Sequence, residues 1–256
     1  MSIHSTAVIN EHAAIGKDCE IGPYCVIGEN VKMGDGCKLH SHVVIDGHTE
    51  IGDGNCFYPF ASIGLRTQDL KWNGGSAWTL IGNNNTFREY TTIHSATNDG
   101  DSTEVGNDNN FLAYTHVAHD CQLGDHIIMS NVATLAGHVT VEDSAIIGGL
   151  AAVHQFCRIG SMTIIGGCSK VVQDIPPYMM ADGNPAVTRA LNKEGLKRNK
   201  VTEETQAGLK KAHRILFREN LTVSNAIEKA RTEVPASPEL EHLLNFVQSS
   251  ERGIAK

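Results

Sequence analysis

Apolar residues recur along this chain at every sixth position. The series runs from Ile3 through Ile9, Ile15, Ile21, Ile27, Met33, Leu39, Ile45, Ile51 and Phe57 to Ile63. It returns at Ile81, Phe87 and Ile93, and runs again from Val105 to Val171. Gly often follows the apolar residue, as in Ile15-Gly16 and Ile21-Gly22, and a small or β-branched residue stands four places after it, as at Ala13, Cys19, Cys25 and Val31. A helix needs a period of 3.6 and a simple strand a period of two. A hexapeptide period fits neither and predicts a parallel β-helix, mainly β in class, in which three hexapeptides make one triangular turn of 18 residues. Its backbone groups pair with coils above and below, about 4.8 Å apart. The end coils are exposed strand edges, so capping or oligomerisation is expected.

Two stretches break the repeat. Residues 65–80 hold both tryptophans, a Gly-Gly pair, Asp69 and Lys71, and residues 95–104 are polar and turn-rich. Both are predicted as loops outside the coils, the usual place for a binding surface on a repeat scaffold. Regularity stops at Ile175-Pro176-Pro177, beyond which Lys, Glu, Ala and Leu dominate. Helices are predicted over 192–199, 203–218, 223–234 and 238–249. Thr202 ahead of two glutamates and Ser237 ahead of Pro238 are the start signals. The chain thus divides into a solenoid over 1–185 and a small helical domain over 186–256 that covers the solenoid's carboxyl-terminal end.

Charge is uneven between these parts. Residues 1–185 carry 8 Lys/Arg against 20 Asp/Glu, and residues 186–256 carry 13 against 9, within a formal total of -8. That argues against a general nucleic-acid binder. The basic tail fits either an acidic partner or phosphate, or a solvated helical face. Five of the seven cysteines, Cys19, Cys25, Cys37, Cys121 and Cys157, fall on the fifth place of the hexapeptide and read as small buried residues in reducing conditions. There is no CxxC pair, no amino-terminal apolar signal and no apolar run of membrane-spanning length, so a soluble cytoplasmic protein is expected.

The 18-residue turn also acts as a ruler for chemistry. It stacks His119, Gly137 and Gln155 in one column and Asp120 and His138 in the next. Such a group suits general-base work: an imidazole titrates near neutrality, a carboxylate orients it, and a Gly N–H can face oxyanion charge. Two other readings remain open on residue types alone. His116, His119 and His138 offer metal ligands, although the helical HExxH spacing is absent, and histidines also occur as plain surface groups at turns. Gly137 itself can be a turn glycine. No Ser or Cys stands in a familiar nucleophile setting.

Beyond the repeat, the runs SHVVIDGHTEIG, FASIG, QDLK, His116–Cys121 (HVAHDC), ATLAGHV, IIGGLAAVHQFC, QDIPPY, DGNP and EGLKR span nearly the whole chain. In these it resembles the acyl-[acyl-carrier-protein]–UDP-N-acetylglucosamine O-acyltransferase family of bacterial lipid A synthesis. The resemblance implies a left-handed β-helix, opposite to the usual right-handed crossover, and a homotrimer with sites between subunits. It implies transfer of an (R)-3-hydroxyacyl group from acyl carrier protein to the sugar 3-hydroxyl, with no metal and no cofactor beyond the carrier's own phosphopantetheine. By resemblance His119 is the general base, Asp120 its orienting acid and the Gly137 N–H the oxyanion donor. Substrate-binding roles fall on Asp69, Lys71, His138 and Gln155, with His94, His116 and His154 lining the cleft and Asn192, Glu194 and Arg198 holding the nucleotide sugar or the phosphopantetheine region. Gly167 falls on the acyl-chain ruler. Two departures stand out: Ser95 where many relatives have Arg, and Asn199 where a second basic residue is common. A UDP-sugar N-acyltransferase, an enzyme for a 3-amino sugar and a non-catalytic scaffold are the rival functions.

Overall fold

The computed structural model describes residues 1–256. Short strands of two to four residues form three parallel sheets, and the chain visits the three in rotation, so each coil is a triangle. The solenoid is a left-handed parallel β-helix with a small carboxyl-terminal helical region. The right-handed rule rests on twisted strands joined through a helix; here the strands are too short to twist appreciably and no helix lies in the connections. Register follows the repeat: Ile3 pairs with Ile21, Ile21 with Leu39, and Leu39 with Phe57. The offset widens to 30 between Phe57 and Phe87 and to 24 between Phe87 and Phe111, then returns to 18.

The sixth-position residues make the core. Ile45, Phe57, Ile63, Phe87, Phe111 and Leu135 are fully buried, as are the five fifth-position cysteines. Coil spacing places Phe57, Phe87 and Phe111 face over face, with centroids 4.9 and 5.1 Å apart. Polar residues also occupy the fifth-place stacks. Asn55, Asn85 and Asn109 form a buried ladder in which the amide N–H of Asn85 donates to Asn55 Oδ1 at 2.9 Å, that of Asn109 to Asn85 Oδ1 at 2.9 Å, and that of Ile127 to Asn109 Oδ1 at 2.7 Å. An unsatisfied buried amide costs about 1–3 kcal/mol, so the ladder holds only because each member is paired. Corners are turned mostly by residues other than glycine in the left-handed region, among them Asp120, His138 and Phe156 with φ of 60°, 59° and 64°. Each such residue costs roughly 1–2 kcal/mol, which the coil-to-coil pairing must outweigh.

The interruptions are narrower than the sequence predicts. Leu65 ends the strand Ser62–Leu65, and Trp78–Ile81 and Ser102–Val105 are strands, so only residues 66–77 and 95–101 leave the coils. Pairing with the four-residue strand His48–Ile51 draws in the extra positions and buries Thr79 between Thr49 and Thr103. Both tryptophans find partners within the chain: Trp78 lies 5.1 Å from His48, and the Arg66 guanidinium sits 4.7 Å over Trp72.

The carboxyl-terminal end is closed by its own chain. An antiparallel hairpin, Met179–Gly183 with Ala186–Leu191, extends one sheet, so the expected boundary at 185 falls inside it. Four helices follow, α1 (Lys193–Arg198), α2 (Glu203–Arg218), α3 (Val223–Glu233) and α4 (Pro238–Gln248). Thr202 and Ser237 cap α2 and α4 as the sequence predicts; Asn192 and Thr222 cap the other two. Leu209, Leu216, Ile227 and Leu243 pack with Tyr178, Met179 and Leu191 as a second core. The tail then returns: Ala255 donates its N–H to Asp174 O and joins the solenoid core. At the other end Ile3 and Val8 stay 47% and 64% exposed, so the first coil is uncapped.

One polar junction fastens α4 to the coils. His242 Nδ1 meets Tyr178 Oη at 2.8 Å and its Nε2 meets Glu142 Oε2 at 2.9 Å, while the Ser161 N–H and hydroxyl also donate to that carboxylate. Burial pushes the Glu142 carboxyl up, but His242 and Ser161 together outweigh it and hold it below its usual value of 4.5. A depressed carboxyl contributes stability above its unfolded value that disappears as pH falls through the folded one. The melting-temperature difference between the parent and Glu142→Gln is therefore expected to be full near neutrality and to shrink below about pH 4.5. A difference constant from pH 7 to 3.5 would show that the junction does not contribute in this way.

Candidate active site

The column predicted at His119 is assembled by coil stacking. The His138 N–H donates to His119 O at 3.0 Å and the Phe156 N–H to Gly137 O at 3.2 Å, which locks three successive corners. His119 Nδ1 lies 2.7 Å from Asp120 Oδ2, with the two side chains only 14% and 8% exposed. A carboxylate only accepts, so Nδ1 carries the proton and Nε2 keeps the free lone pair. Asp120 is itself held: its N–H donates to Thr103 Oγ1 at 2.8 Å, and its Oδ1 accepts from Thr97 N at 3.2 Å.

Gly137 serves the site in a way different from a turn glycine. The left-handed corner residue is His138, one place on. A Cβ on Gly137 would fall 2.6 Å from His119 Nε2 and overlap the ring, so the imidazole occupies the space a side chain would take. The Gly137 N–H donates to no acceptor within the chain, as is also true of His119 and Gln155 at the equivalent corner positions.

Around the pair stand three more imidazoles. His138 stacks on Phe156 at 4.6 Å, meets His119 edge-on at 5.2 Å, and places Nε2 3.6 Å from Asp120 Oδ2, beyond a good hydrogen bond. His116 Nδ1 meets the Thr92 hydroxyl at 2.7 Å, and burial, then repulsion from His94 and His119, pushes its pKa down to about 4. His94, 5.1 Å from His116, is also lowered, first by burial and then by His119. Both rings are neutral at neutral pH and suit hydroxyl recognition better than phosphate. The donor atoms of His119, Asp120 and His138 lie within 4.8 Å of one another, close enough to meet one ion.

The loop 66–77 carries Asp69 onto a cleft of about 820 Å³ walled also by Asp46, Arg66, Gln68, Trp72 and His94, whereas Lys71 is exposed and off its walls. Lys71 N–H donates to Asp69 Oδ1 at 2.9 Å, and Leu70 between them is fully exposed at 101%. His154 and Gln155 lie exposed on the corner beyond Gly137. Asn192, Glu194 and Arg198 line a different cleft of about 720 Å³, between α1 and the sheet bearing Ile128, Ile146 and Ile164, and none of the histidine cluster is on its walls. The Asn192 side chain is engaged by capping Gly195 N and by Met162 O. Gly167 is exposed, and a Cβ there would meet only Gly149 O, at 3.2 Å. Of the two departures, Ser95 is buried with its N–H on Leu65 O, and Asn199 caps α1 and accepts from the Ser144 hydroxyl. Sequence reasoning missed Thr97 and Thr103, which hold the pair, and Thr67, which holds Thr97; Thr67 and Thr97 sit in loops outside the 18-residue register, and Thr103 lay in a stretch expected to be loop.

No helix is long and apolar enough to cross a membrane. Comparison with known proteins agrees with the fold. A family model described as UDP N-acetylglucosamine O-acyltransferase, domain 2, matches residues 174–255, and one described as GMPPB C-terminal domain matches residues 3–98 of the repeat. The acyl-[acyl-carrier-protein]–UDP-N-acetylglucosamine O-acyltransferase of Thermodesulfovibrio yellowstonii is 52% identical, with 99% of each chain covered. The structure of LpxA from Acinetobacter baumannii superposes with a TM-score of 0.96 at 45% identity, covering 99% of both chains. That of the UDP-N-acetylglucosamine acyltransferase of Bacteroides fragilis gives 0.97 at 39%, covering 99% of this chain and 100% of the other. With relatives this similar aligned from end to end, the chain belongs to the acyl-[acyl-carrier-protein]–UDP-N-acetylglucosamine O-acyltransferase family and is an acyltransferase.

Proposed function

We propose that this enzyme moves an (R)-3-hydroxyacyl group from acyl carrier protein to the 3-hydroxyl of UDP-N-acetylglucosamine, the first step of lipid A biosynthesis, in the cytoplasm. The observation that carries the reading is the His119–Asp120 contact of 2.7 Å over the bare Cα of Gly137. His119 Nε2 takes the proton of the sugar hydroxyl as that oxygen attacks the thioester carbonyl. The tetrahedral oxyanion accepts from the Gly137 N–H. Collapse expels the phosphopantetheine sulfur, which receives the proton back from His119, while Asp120 stabilises the transient imidazolium. His94, His116, His138 and Gln155 line the sugar and acyl path with Asp69, Lys71 and His154. Asn192, Glu194 and Arg198 hold the nucleotide or carrier end.

Two features support a trimer with sites between subunits. The cleft at Asp69 and the cleft at Arg198 lie apart within one chain, so a shared ligand needs a second copy to bring them together. One solenoid corner also carries an exposed apolar ridge, Tyr24, Phe60, Tyr90, Tyr114, Val132 and Leu150, each at least 42% exposed. An apolar strip of that kind marks an association surface. Sedimentation is expected to give three times the 27.6 kDa of the chain; a monomer at working concentration would remove the intersubunit site.

The test of function is turnover in His119→Ala, Asp120→Asn and His138→Ala, with circular dichroism and oligomer size measured alongside. His119→Ala is expected to lose about 10²–10⁴-fold in kcat, the range for a general base, with fold and assembly intact. Asp120→Asn keeps the ring and is expected to lose less. An assembled His119→Ala enzyme with parental kcat, and an inactive His138→Ala enzyme, would move the base to the neighbouring column.

Acyl length provides a separate check. Gly167 has no side chain to block a groove, and only Gly149 O stands within 4 Å of a Cβ there. Gly167→Met is expected to shift a competition between long and short acyl donors towards the shorter. An unchanged product ratio would take residue 167 out of the acyl path.

A further inference from the structure

Two buried threonines join the loops to the His119–Asp120 pair. Thr67, from the loop 66–77, and Thr97, from the loop 95–101, are each 5% exposed. Thr97 Oγ1 lies 3.1 Å from His119 Nδ1 and 3.1 Å from Thr67 Oγ1, and Thr67 Oγ1 accepts the Asp69 N–H at 3.0 Å. The same Thr97 presents its backbone N–H to Asp120 Oδ1. One residue therefore touches both members of the pair, through its hydroxyl on the ring and its amide on the carboxylate.

Hydroxyl chemistry sets the direction of this chain. The Nδ1 proton faces Asp120 Oδ2, and the Thr97 oxygen takes a secondary share of it. The Thr97 O–H then turns to Thr67 Oγ1, which also accepts the amide of Asp69. We propose that Thr97 is a positioning residue for the general base, and that Thr67 couples it to the loop bearing Asp69 and Lys71, so that the seating of this loop sets the orientation of the ring. The inference rests on His119 being the base. It extends that reading from a two-residue pair to a four-residue chain starting at the nucleotide-sugar loop. When Nε2 accepts the sugar proton the ring becomes cationic, and an extra acceptor at Nδ1 then matters more than in the neutral ring. The other titratable groups around the ring are Asp120, His138, His94 and His116.

The experiment compares Thr97→Val, Thr97→Ser, Thr67→Val and the Thr67→Val/Thr97→Val double variant with the parent, with His119→Ala run alongside and assembly checked for each. Thr97→Val is expected to lose roughly tenfold in kcat with little change in KM, a factor equivalent to about 1.4 kcal/mol and so to one hydrogen bond. The acid limb of its kcat profile moves to lower pH, because an acceptor favouring imidazolium is gone. Thr97→Ser restores both, which a purely structural role for the hydroxyl would not require. Thr67→Val raises KM for the nucleotide sugar and lowers kcat, and the double variant is no slower than Thr97→Val, the non-additivity of one chain. An assembled Thr97→Val enzyme with parental kcat and acid limb overturns the proposal, as does a loss that Ser fails to restore or effects that simply add. If Thr97→Val fails to assemble, Thr97→Ser and Thr67→Val decide it through the same profile and KM. His119→Ala with parental turnover brings down the base assignment and this inference together; an inactive His119→Ala beside a silent Thr97→Val brings down this inference alone.

Discussion

Coil-to-coil backbone pairing is the constraint on which the rest depends. Each coil donates N–H groups both to the following coil, as Gly22 does to Leu39, and, at corners, to the preceding one, as His138 does to His119. The register is fixed, and a slip by one residue would turn the apolar stack outward. Full burial of Ile45, Phe57, Ile63 and Phe87 makes such a slip very costly. The neighbours of any residue are therefore set by counting 18 along the chain, or 30 and 24 where the loops enter. His119 meets a residue with no side chain because Gly137 lies one coil on, and the ring fills the place of the missing Cβ. An imidazole held by the coils themselves has little room to wander, which is what the proposed proton transfer needs. The loops can still vary, because the coils beyond them return to the same register.

Legibility in the sequence followed how locally each feature is encoded. The period carried the coils, the core and the column of residue 119, since each depends on a fixed offset. Helix limits were readable to about one residue because Thr202 and Ser237-Pro238 announce them locally. The ends of the loops were not, because Trp78–Leu80 becomes strand only with His48–Ile51 alongside, and Ser102–Glu104 only with Trp78–Leu80 alongside. The hairpin at 179–191 has no period and was missed. Gly137 was picked out correctly as part of the column, but the corner belongs to His138, and what demands glycine is the ring packed against it. Thr67 and Thr97 lie in stretches where the ruler does not apply, so only coordinates reveal their contact with the pair.

The same separation of coil and loop explains how a rigid solenoid can take part in recognition. The pair is fixed from below by stacked corners and from the side by the strand residue Thr103 and the loop residue Thr97, which Thr67 links to the loop whose residues Leu70 and Lys71 stand exposed. Arg198 and Glu194 lie in another cleft, beyond the hairpin, on an element that the sheet positions through Asn192. Rigid coils thus hold the two clefts apart along the prism, and in the proposed trimer repeated copies around an axis would let clefts of neighbouring chains face each other.

Burial and hydrogen-bond partners distinguish the imidazoles of the cluster. A ring that takes a proton inside a partly buried site needs a partner for its new charge. His116 has only the Thr92 hydroxyl and is pushed down to about 4, so it resists protonation at neutral pH. His94 has a buried Nδ1 with no partner and is lowered as well. His138 is more open and lies 3.6 Å from Asp120, too far for a strong hydrogen bond, with its face committed to Phe156. His119 is the ring with a carboxylate at 2.7 Å and a second oxygen, from Thr97, on the same nitrogen. The cluster therefore holds one imidazole paired to a carboxylate beside two, His94 and His116, that burial keeps neutral. That division of roles favours His119 as the base on local physics, independently of any likeness to other proteins.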